Sequence, residues 1–331
     1  MARMFRTAVF GMVVLGCVFL VASQGGAAVT WTAYTFGPSD ALANVQGLKR
    51  IVKAIEEETK GYIKMNFNLA GSLSIQSTNI TQAIGDGVVQ FGDDGFFLGN
   101  VPIAGILRLP LLLTTTEDFS KALKVMQPYI DREFEKKGAV VLAHFVFPFQ
   151  VAFSTKKLTS LGDFTGQKLR VSEPEQAEFI RRFGGVPLTM GAPEVPPALQ
   201  HGTIDGVLTA SAGGGKIWGD MLKFNYRLGV NYFNAMVLVN KDAFGKLPPA
   251  MQTQIKEIAV RLAPTTTAQL AKEEGEVLAK HKAAGMVITE PTAEEIVQAS
   301  KRMAPYWDEW ATKKGPEAQK ALAEVRKALG R

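Results

Sequence analysis

Apolar and polar residues follow two different periods in the first part of this chain. Residues 30–36, 62–69 and 88–92 show the period of two that half-buried strands have. Between them, residues 42–55 and 75–84 carry apolar side chains at the three- and four-residue spacing of a helix. This order of strands and helices predicts βαβ units and therefore an open, mostly parallel sheet.

The stretch from residue 166 to 206 repeats this order, with strands at 167–171 and 204–208 around two short helices. In parallel sheets, ligands bind beyond the carboxyl ends of the strands. Arg170 lies at one such end and Thr209 directly follows another. The sequence therefore predicts that this stretch forms half of a binding site.

Two longer runs of β-forming residues, 140–155 and 226–239, are typical of strands that cross from one domain to another. We place the first hinge near Pro148. Residues 243–284 have a mostly helical pattern, with Pro264 as the expected kink or break. Two lobes joined by long strands form a hinged clamshell.

The predicted fold class is therefore α/β, with two lobes that are each a mostly parallel sheet flanked by helices. Long hinge strands and C-terminal helices join them. The first lobe comprises residues 29–147, and about 236–275 return to it. The second comprises residues 148–235, and about 276–331 pack on it.

The first 28 residues have the three parts of a secretory signal peptide. Arg3 and Arg6 form the basic part, an apolar stretch follows, and residues 26–28 offer a small-residue cleavage site. We therefore expect the mature chain to begin near Val29 and to be exported to the periplasm.

Two alternatives to cleavage stay open. The apolar run of residues 8–22 could remain as a membrane anchor, although it is short for a span. Cys17 lies in a sequence that loosely resembles a lipoprotein box, but it sits inside the apolar run rather than at its end. Cys17 is also the single cysteine, so the mature protein forms no disulfide and depends on its core alone.

Composition and charge are those of an ordinary globular protein. The 331 residues are 47% apolar and 21% charged, which suggests two domains with substantial cores. Without Arg3 and Arg6, 35 basic residues stand against 31 acidic ones. The basic residues are scattered, so the sequence indicates no nucleic-acid partner. A mild positive charge suits the capture of anions, and solubility explains it equally well.

Motifs for cofactors, metals and catalysis are incomplete. Residues 213–216 resemble a phosphate-binding loop, but Ala210 stands where that motif needs glycine. Residues 85–87 would need glycine at Gln90 to form a dinucleotide fingerprint. The three histidines are far apart, and there is no G-x-S-x-G nucleophile motif. We therefore expect no cofactor, no metal site and no enzymatic activity.

Short motifs along the whole mature chain carry a further signal. Each is weak alone, but in this order behind a signal peptide they make the chain similar to one family, the extracytoplasmic solute receptors of tripartite ATP-independent periplasmic (TRAP) transporters. The motifs are residues 57–61, 71–73, 83–87, 109–110, 166–171, 194–195, 198–202 and 204–206, with Asn240 and residues 247–248.

The resemblance implies a periplasmic-binding-protein clamshell, monomeric or dimeric, that is a receptor rather than an enzyme. Such a receptor binds a small organic anion and delivers it to the small and large membrane subunits of the transporter. Two alternatives are an exported solute sensor that partners a signalling receptor and, less favoured, a hydrolase or isomerase on the same scaffold.

The resemblance also implies roles for three residues. The family's arginine matching Arg170 pairs with the solute carboxylate, for which the planar guanidinium is well shaped. Thr209 stands where sialic-acid-binding members often have asparagine, and Gln150 stands where they have a second arginine. A second carboxylate would lack a cation at Gln150, so a monocarboxylate is expected over a dicarboxylate.

Five other residues are weaker candidates for ligand contacts. Phe36 and Phe149 could form an apolar cleft wall, or they could be core residues. Asp94, placed just after the third predicted strand, could accept hydrogen bonds from a solute or belong to a solvated turn. Gln76 and Lys157 are weaker still, since such a lysine is commonly a solvated edge residue.

Overall fold

A mixed β-sheet forms the frame of the protein. The computed structural model describes residues 28–331, so the predicted signal peptide lies, except for its last residue, outside the described residues. The strands are β1 (Val29–Tyr34), β2 (Ile63–Asn68), β3 (Phe91–Asp94), β4 (Ala139–Ser154), β5 (Lys168–Val171), β6 (Val186–Thr189), β7 (Gly206–Thr209), β8 (Phe224–Asn240) and β9 (Val287–Thr289). Their order is β2-β1-β3-β8-β4-β7-β5-β6, and β9 pairs with β8.

Helices cover both faces of this sheet. They are α1 (Ala43–Glu58), α2 (Ile80–Gly85), α3 (Thr116–Lys136), α4 (Pro174–Arg182), α5 (Val195–Gln200), α6 (Lys216–Trp218), α7 (Lys241–Gly245), α8 (Pro249–Ala283), α9 (Ala293–Lys314) and α10 (Pro316–Ala328). Among residues 28–331, no helix combines the length and the apolar character that a membrane span needs.

The two lobes are the parallel parts of the sheet. In the first lobe β1 pairs in parallel with β2 and β3, and in the second β5 pairs in parallel with β6 and β7. The antiparallel strands β4 and β8 join the two groups, since β3 pairs with β8 and β7 pairs with β4. The predicted fold class is thereby confirmed.

Strands β4 and β8 run side by side through both lobes. They have 16 and 17 residues, about three times the usual strand length. Their pairing is irregular between Phe147 and Gln150 and again between Gln150 and Ala152. Pro148, where the hinge is predicted, lies within this irregular part and has no N–H group to donate. The regular ladder of the two long strands is therefore interrupted where the hinge is predicted.

The C-terminal helices depart from the predicted division. Residues 276–331 were expected on the second lobe, and Ala299 and Met303 of α9 do lie in its core. However, Trp310 and α10, including Leu322 and Val325, pack in the core of the first lobe. The apolar stripe of α10 is visible in the sequence, but its partner α3 is chosen only by the three-dimensional path of the chain.

Of the kink or break expected at Pro264, the long helix α8 shows no break. Pro264 lies inside it, yet the helix runs without a break from Pro249 to Ala283. Buried neighbours on both sides of the proline, Ala263 and Thr266, hold that turn in the core. Packing of the helix against the first lobe thus outweighs the hydrogen bond that the proline cannot make.

A buried ion pair connects the two lobes beside the hinge. Arg108 of the first lobe is fully buried and pairs with Glu173, which directly precedes α4 of the second lobe. The Nε group of Arg108 donates to Asn234 Oδ1 on β8 at 3.0 Å. Glu173 Oε1 also accepts a hydrogen bond of 2.6 Å from Asn231 Nδ2. Each charge therefore has polar partners that offset part of its desolvation.

We expect Arg108→Met to lower the free energy of unfolding by about 3–5 kcal/mol, because it leaves the Glu173 carboxylate buried without its cation. Urea denaturation measures this loss. The matched control is Arg132→Met, which removes an exposed ion pair with Glu317 and should change stability by less than about 1 kcal/mol. If Arg108→Met lowered the free energy of unfolding no more than Arg132→Met, the buried ion pair would not have this role in stability.

Candidate ligand-binding cleft

The carboxyl ends of strands from both lobes meet at one cavity. β1 and β3 reach it from the first lobe, and β5 and β7 reach it from the second. The cavity has a volume of about 60 Å³. The residues that line it are Phe36, Gly37, Pro38, Leu42, Asn44, Phe96, Phe147, Gln150, Arg170, Ser172, Ala192, Thr209, Gly213, Gly214, Ile217, Trp218 and Phe233.

Arg170 is the one charged residue in this lining. It lies on β5 and is 4% exposed. Its Nε group donates a hydrogen bond of 3.0 Å to the carbonyl oxygen of Met190. The guanidinium carbon lies 5.9 Å from the ring centre of Phe96 and 5.7 Å from that of Trp218. One backbone contact and two aromatic rings thus orient the side chain.

Among residues 28–331, the charge of Arg170 has no carboxylate partner. Within residues 28–331, no Asp or Glu oxygen lies within 4.0 Å of its guanidinium nitrogens, and Nε alone has a hydrogen-bond acceptor. Burial lowers the pKa of Arg170 to about 10, while Glu173 and Glu194 act in the opposite direction from farther away. The group therefore stays protonated at neutral pH and presents unused N–H donors.

Polar but uncharged side chains surround Arg170. Thr209 Oγ1 accepts a hydrogen bond of 2.9 Å from the Gly214 N–H, which leaves its own hydrogen free to donate. Gln150 Nε2 donates to the Pro148 carbonyl at 3.1 Å. Asn44 is buried, and its Nδ2 group has no partner among residues 28–331. The cleft therefore offers hydrogen bonds beside a single positive charge.

Four phenylalanine rings form an apolar wall in the same cavity. Phe36 lies 6.0 Å from Phe96, 6.2 Å from Phe147 and 6.1 Å from Phe233, measured between ring centres. Gly95 permits this cluster, since a Cβ atom there would lie 2.6 Å from the Phe233 ring. Aromatic rings in edge and tilted contacts make a rigid surface.

Two buried aspartates hold the backbone that carries two of these rings. Asp93 Oδ1 accepts a hydrogen bond of 3.1 Å from the Phe36 N–H, and Asp94 Oδ1 accepts one of 2.6 Å from the Phe96 N–H. Burial raises the pKa of Asp93 to about 7 and that of Asp94 to about 6. These carboxyl groups thus fix the backbone at Phe36 and Phe96, whose rings line the cleft.

The position of Asp94 corrects one expectation. It was placed just after the third strand, but β3 begins at Phe91 and includes it. Val88, predicted to be part of the strand, is 62% exposed in the turn before it. Asp94 Oδ2 accepts hydrogen bonds from the backbone and the hydroxyl of Thr81, at 2.9 and 2.5 Å. Both oxygens are therefore occupied inside the protein.

The remaining predicted residues divide into two groups. The structure brings Arg170, Thr209, Gln150 and Phe36 together in one cavity. Three others lie elsewhere: Phe149 stacks on Tyr232 with ring centres 4.1 Å apart, Lys157 has a 72% exposed side chain 3.8 Å from Asp163, and Gln76 lines a second cavity.

This second cavity lies between the lobes, next to the first, and has a volume of about 450 Å³. The lobes approach each other at its edge, where a Cβ atom added to Gly191 would lie 2.6 Å from Ser77 Oγ. Phe96 lines both cavities. The lining of the second one comprises Tyr34, Gly71, Ile75, Gln76, Ser77, Thr78, Phe96, Thr189, Met190, Gly191, Pro193 and Glu194.

Sequence reasoning missed three aromatic residues of the first cavity: Phe96, Trp218 and Phe233. Phe96 follows the carboxyl end of β3, so the rule for parallel sheets could have found it. Trp218 follows the glycine run of residues 213–215, which does not complete a phosphate-loop motif. Gly214 lies there because a Cβ atom would come within 2.1 Å of the Trp218 ring. Phe233 lies in a long strand without any local signal.

Comparisons with known proteins agree with this architecture. Residues 38–314 match the family described as bacterial extracellular solute-binding protein, family 7. The ectoine-binding periplasmic protein TeaA of Halomonas elongata is 26% identical over 292 residues, which is 82% of this chain and 84% of TeaA. The C4-dicarboxylate-binding periplasmic protein DctP of Rhodobacter capsulatus is 30% identical over 196 residues, 57% of this chain and 58% of DctP.

A solved structure gives the same result for the fold. The crystal structure of DctP7, a Bordetella pertussis extracytoplasmic solute receptor that binds pyroglutamic acid, matches with a TM-score of 0.84 and 22% identity. The match covers 90% of this chain and 100% of DctP7. The resemblance inferred from the sequence motifs is confirmed. The chain belongs to the bacterial extracellular solute-binding proteins of family 7, the solute receptors of TRAP transporters.

Proposed function

We propose that this protein is exported to the periplasm, binds a compact monocarboxylate through Arg170, and delivers it to the membrane subunits of a TRAP transporter. One observation carries the proposal: a buried guanidinium with unused N–H donors and no carboxylate partner among residues 28–331. Burying an unpaired charge is costly, so the site is incomplete until an anion enters it.

A carboxylate fits this position for geometric reasons. Two guanidinium N–H groups lie parallel and match the two oxygens of a carboxylate. Phe96 and Trp218 restrain the rotation of the Arg170 side chain, so little conformational entropy is lost on binding. The surrounding apolar rings exclude water and strengthen the ion pair.

The charge of the cleft favours one carboxylate over two. Arg170 is the single cation in the lining, and Gln150 is neutral. Lys156 is 60% exposed and pairs with Asp205 at 2.8 Å, so it does not supply a second cation. The DctP relative from Rhodobacter capsulatus is named for C4-dicarboxylates. We infer that this chain differs in its solute class, because a second carboxylate would be buried without a partner.

The size and polarity of the cavity indicate a compact solute. Its volume of about 60 Å³ is several times that needed for one water molecule but small for a ligand site. The hydroxyl of Thr209 can bond a carbonyl or hydroxyl group of the solute. A small cyclic or branched acid such as pyroglutamate, the ligand named for DctP7, has this combination of groups.

The first test is Arg170→Ala. We expect its affinity for L-pyroglutamate, measured by calorimetry, to fall about 30-fold or more, because a charge pair of about 2–5 kcal/mol is lost. Arg170→Lys should fail similarly, since an ammonium group does not reproduce the planar fork. Without solute, Arg170→Ala should be at least as stable as the wild type, because an unpaired buried charge is removed.

Arg181→Ala is the matched control for this test. Arg181 lies on α4, is 55% exposed and pairs with Glu178, so its removal should leave affinity unchanged. Near-wild-type affinity in Arg170→Ala would overturn the assignment. A large loss of stability in the unliganded variant would show that Arg170 has a structural role instead.

The second test is competition between butyrate and succinate, which share a four-carbon chain and differ by one carboxylate. We expect butyrate to displace the bound probe at the lower concentration. Gln150→Arg adds a second cation to the cavity that Arg170 lines. It should shift this preference toward succinate by about tenfold, or about 1.4 kcal/mol. A wild-type preference for succinate of that size would contradict the monocarboxylate proposal.

The third test concerns closure of the lobes. Gly191→Val places methyl groups against Ser77 of the opposite lobe, where even a Cβ atom would lie 2.6 Å from Ser77 Oγ. We expect a smaller closed population and an affinity about tenfold weaker, although no solute contact changes. The control is Gly162→Val, an exposed position with no atom closer than 3.7 Å to the added Cβ. Equal affinity in the two variants would contradict closure at this contact.

A further inference from the structure

Phe96 lies between two cavities of different size and chemistry. On one side is the 60 Å³ cavity with Arg170 and the aromatic wall, and on the other is the 450 Å³ cavity between the lobes. Phe96 is 7% exposed and is the single residue that lines both. Its side chain is therefore part of the partition between them.

The residues that line the second cavity suit a ligand with several hydroxyl groups. Its lining includes Gln76, Ser77, Thr78 and Thr189, residues whose side chains can donate and accept hydrogen bonds, together with Glu194. Lysine and arginine are absent from this lining. This lining can bind a neutral chain of carbon atoms with hydroxyl groups. It offers no cation to pair with a second carboxylate.

Arg170 lies at the junction of the two cavities. Its guanidinium lines the small one, while Met190, whose carbonyl accepts the Nε hydrogen bond, lines the large one. A solute whose carboxylate pairs with Arg170 would therefore lie beside both cavities. The ring of Phe96, whose centre is 5.9 Å from the guanidinium carbon, is a barrier between them.

Backbone contacts and ring contacts hold Phe96 independently. Asp94 fixes its N–H group at 2.6 Å, whereas the ring packs edge-on against Phe36 and Phe233 at 6.0 and 6.1 Å between centres. Shortening the side chain thus leaves the anchor of the loop in place. The space that the ring occupied would then join the two cavities.

We propose that Phe96 sets the length of the solute, and that without its ring the cleft accepts a hydroxylated six-carbon acid whose tail enters the second cavity. This inference rests on the proposed function, since it needs the Arg170–carboxylate pair. It assigns to one side chain the selection of compact acids over sugar acids.

Calorimetry with two probes, L-pyroglutamate and D-glucuronate, tests this role. We expect Phe96→Ala to raise the affinity for glucuronate relative to pyroglutamate at least tenfold over the wild type. Phe147→Ala is the matched control, because it also removes a phenyl ring. Phe147 lines the small cavity but not the large one. Phe147→Ala enlarges the small cavity without opening it to the large one, so its affinity ratio should rise less than that of Phe96→Ala.

Three outcomes would overturn the proposal. They are an unchanged ratio in Phe96→Ala, an equal gain in Phe147→Ala, and a glucuronate affinity that persists in the Arg170→Ala/Phe96→Ala double variant. The second would mean that total volume, rather than the partition, selects the solute. If circular dichroism shows that Phe96→Ala does not fold, Phe96→Leu is measured instead, with a smaller gain expected in the same direction.

The experiment separates this inference from the function on which it rests. Wild-type protein that binds neither probe would refute the monocarboxylate site and the role of Phe96 together. Wild-type protein that binds pyroglutamate through Arg170, with no change of ratio in Phe96→Ala, would refute the role of Phe96 alone.

Discussion

The unpaired charge of Arg170 is the constraint on which the cleft depends. A guanidinium that is 4% exposed has lost most of its hydration, and no carboxylate among residues 28–331 replaces it. Its burial is tolerated because the ring faces of Phe96 and Trp218 and one backbone carbonyl supply partial compensation. We propose that a solute carboxylate supplies the rest of the compensation.

Arg108 and Arg170 show the two ways in which this protein uses a buried arginine. Arg108 has its counter-ion, Glu173, inside the fold and joins the lobes beside the hinge. It also lies 4.1 Å from the ring centre of Phe233, which lines the cleft on its other face. The structural ion pair thus packs against one ring of the cavity that Arg170 also lines.

The cleft is assembled from strand ends that belong to different lobes. The loop after β1 and the end of β3 bring the aromatic wall, while β5 and β7 bring the charge and a hydroxyl. The irregular pairing of β4 and β8 near Pro148 lies between these halves. In the proposed closure, a rotation at this point would change the distance between the aromatic rings and Arg170.

The sequence alone predicted the order of strands and helices, the two-lobed class, and the positions of Arg170 and Thr209 at strand ends. These follow from local periodicity and from a general rule for parallel sheets. The tertiary structure alone decided that Asp94 faces inward, that α10 packs on the first lobe, and that Phe96 separates two cavities. Such outcomes depend on contacts between residues far apart in the chain, which periodicity does not encode.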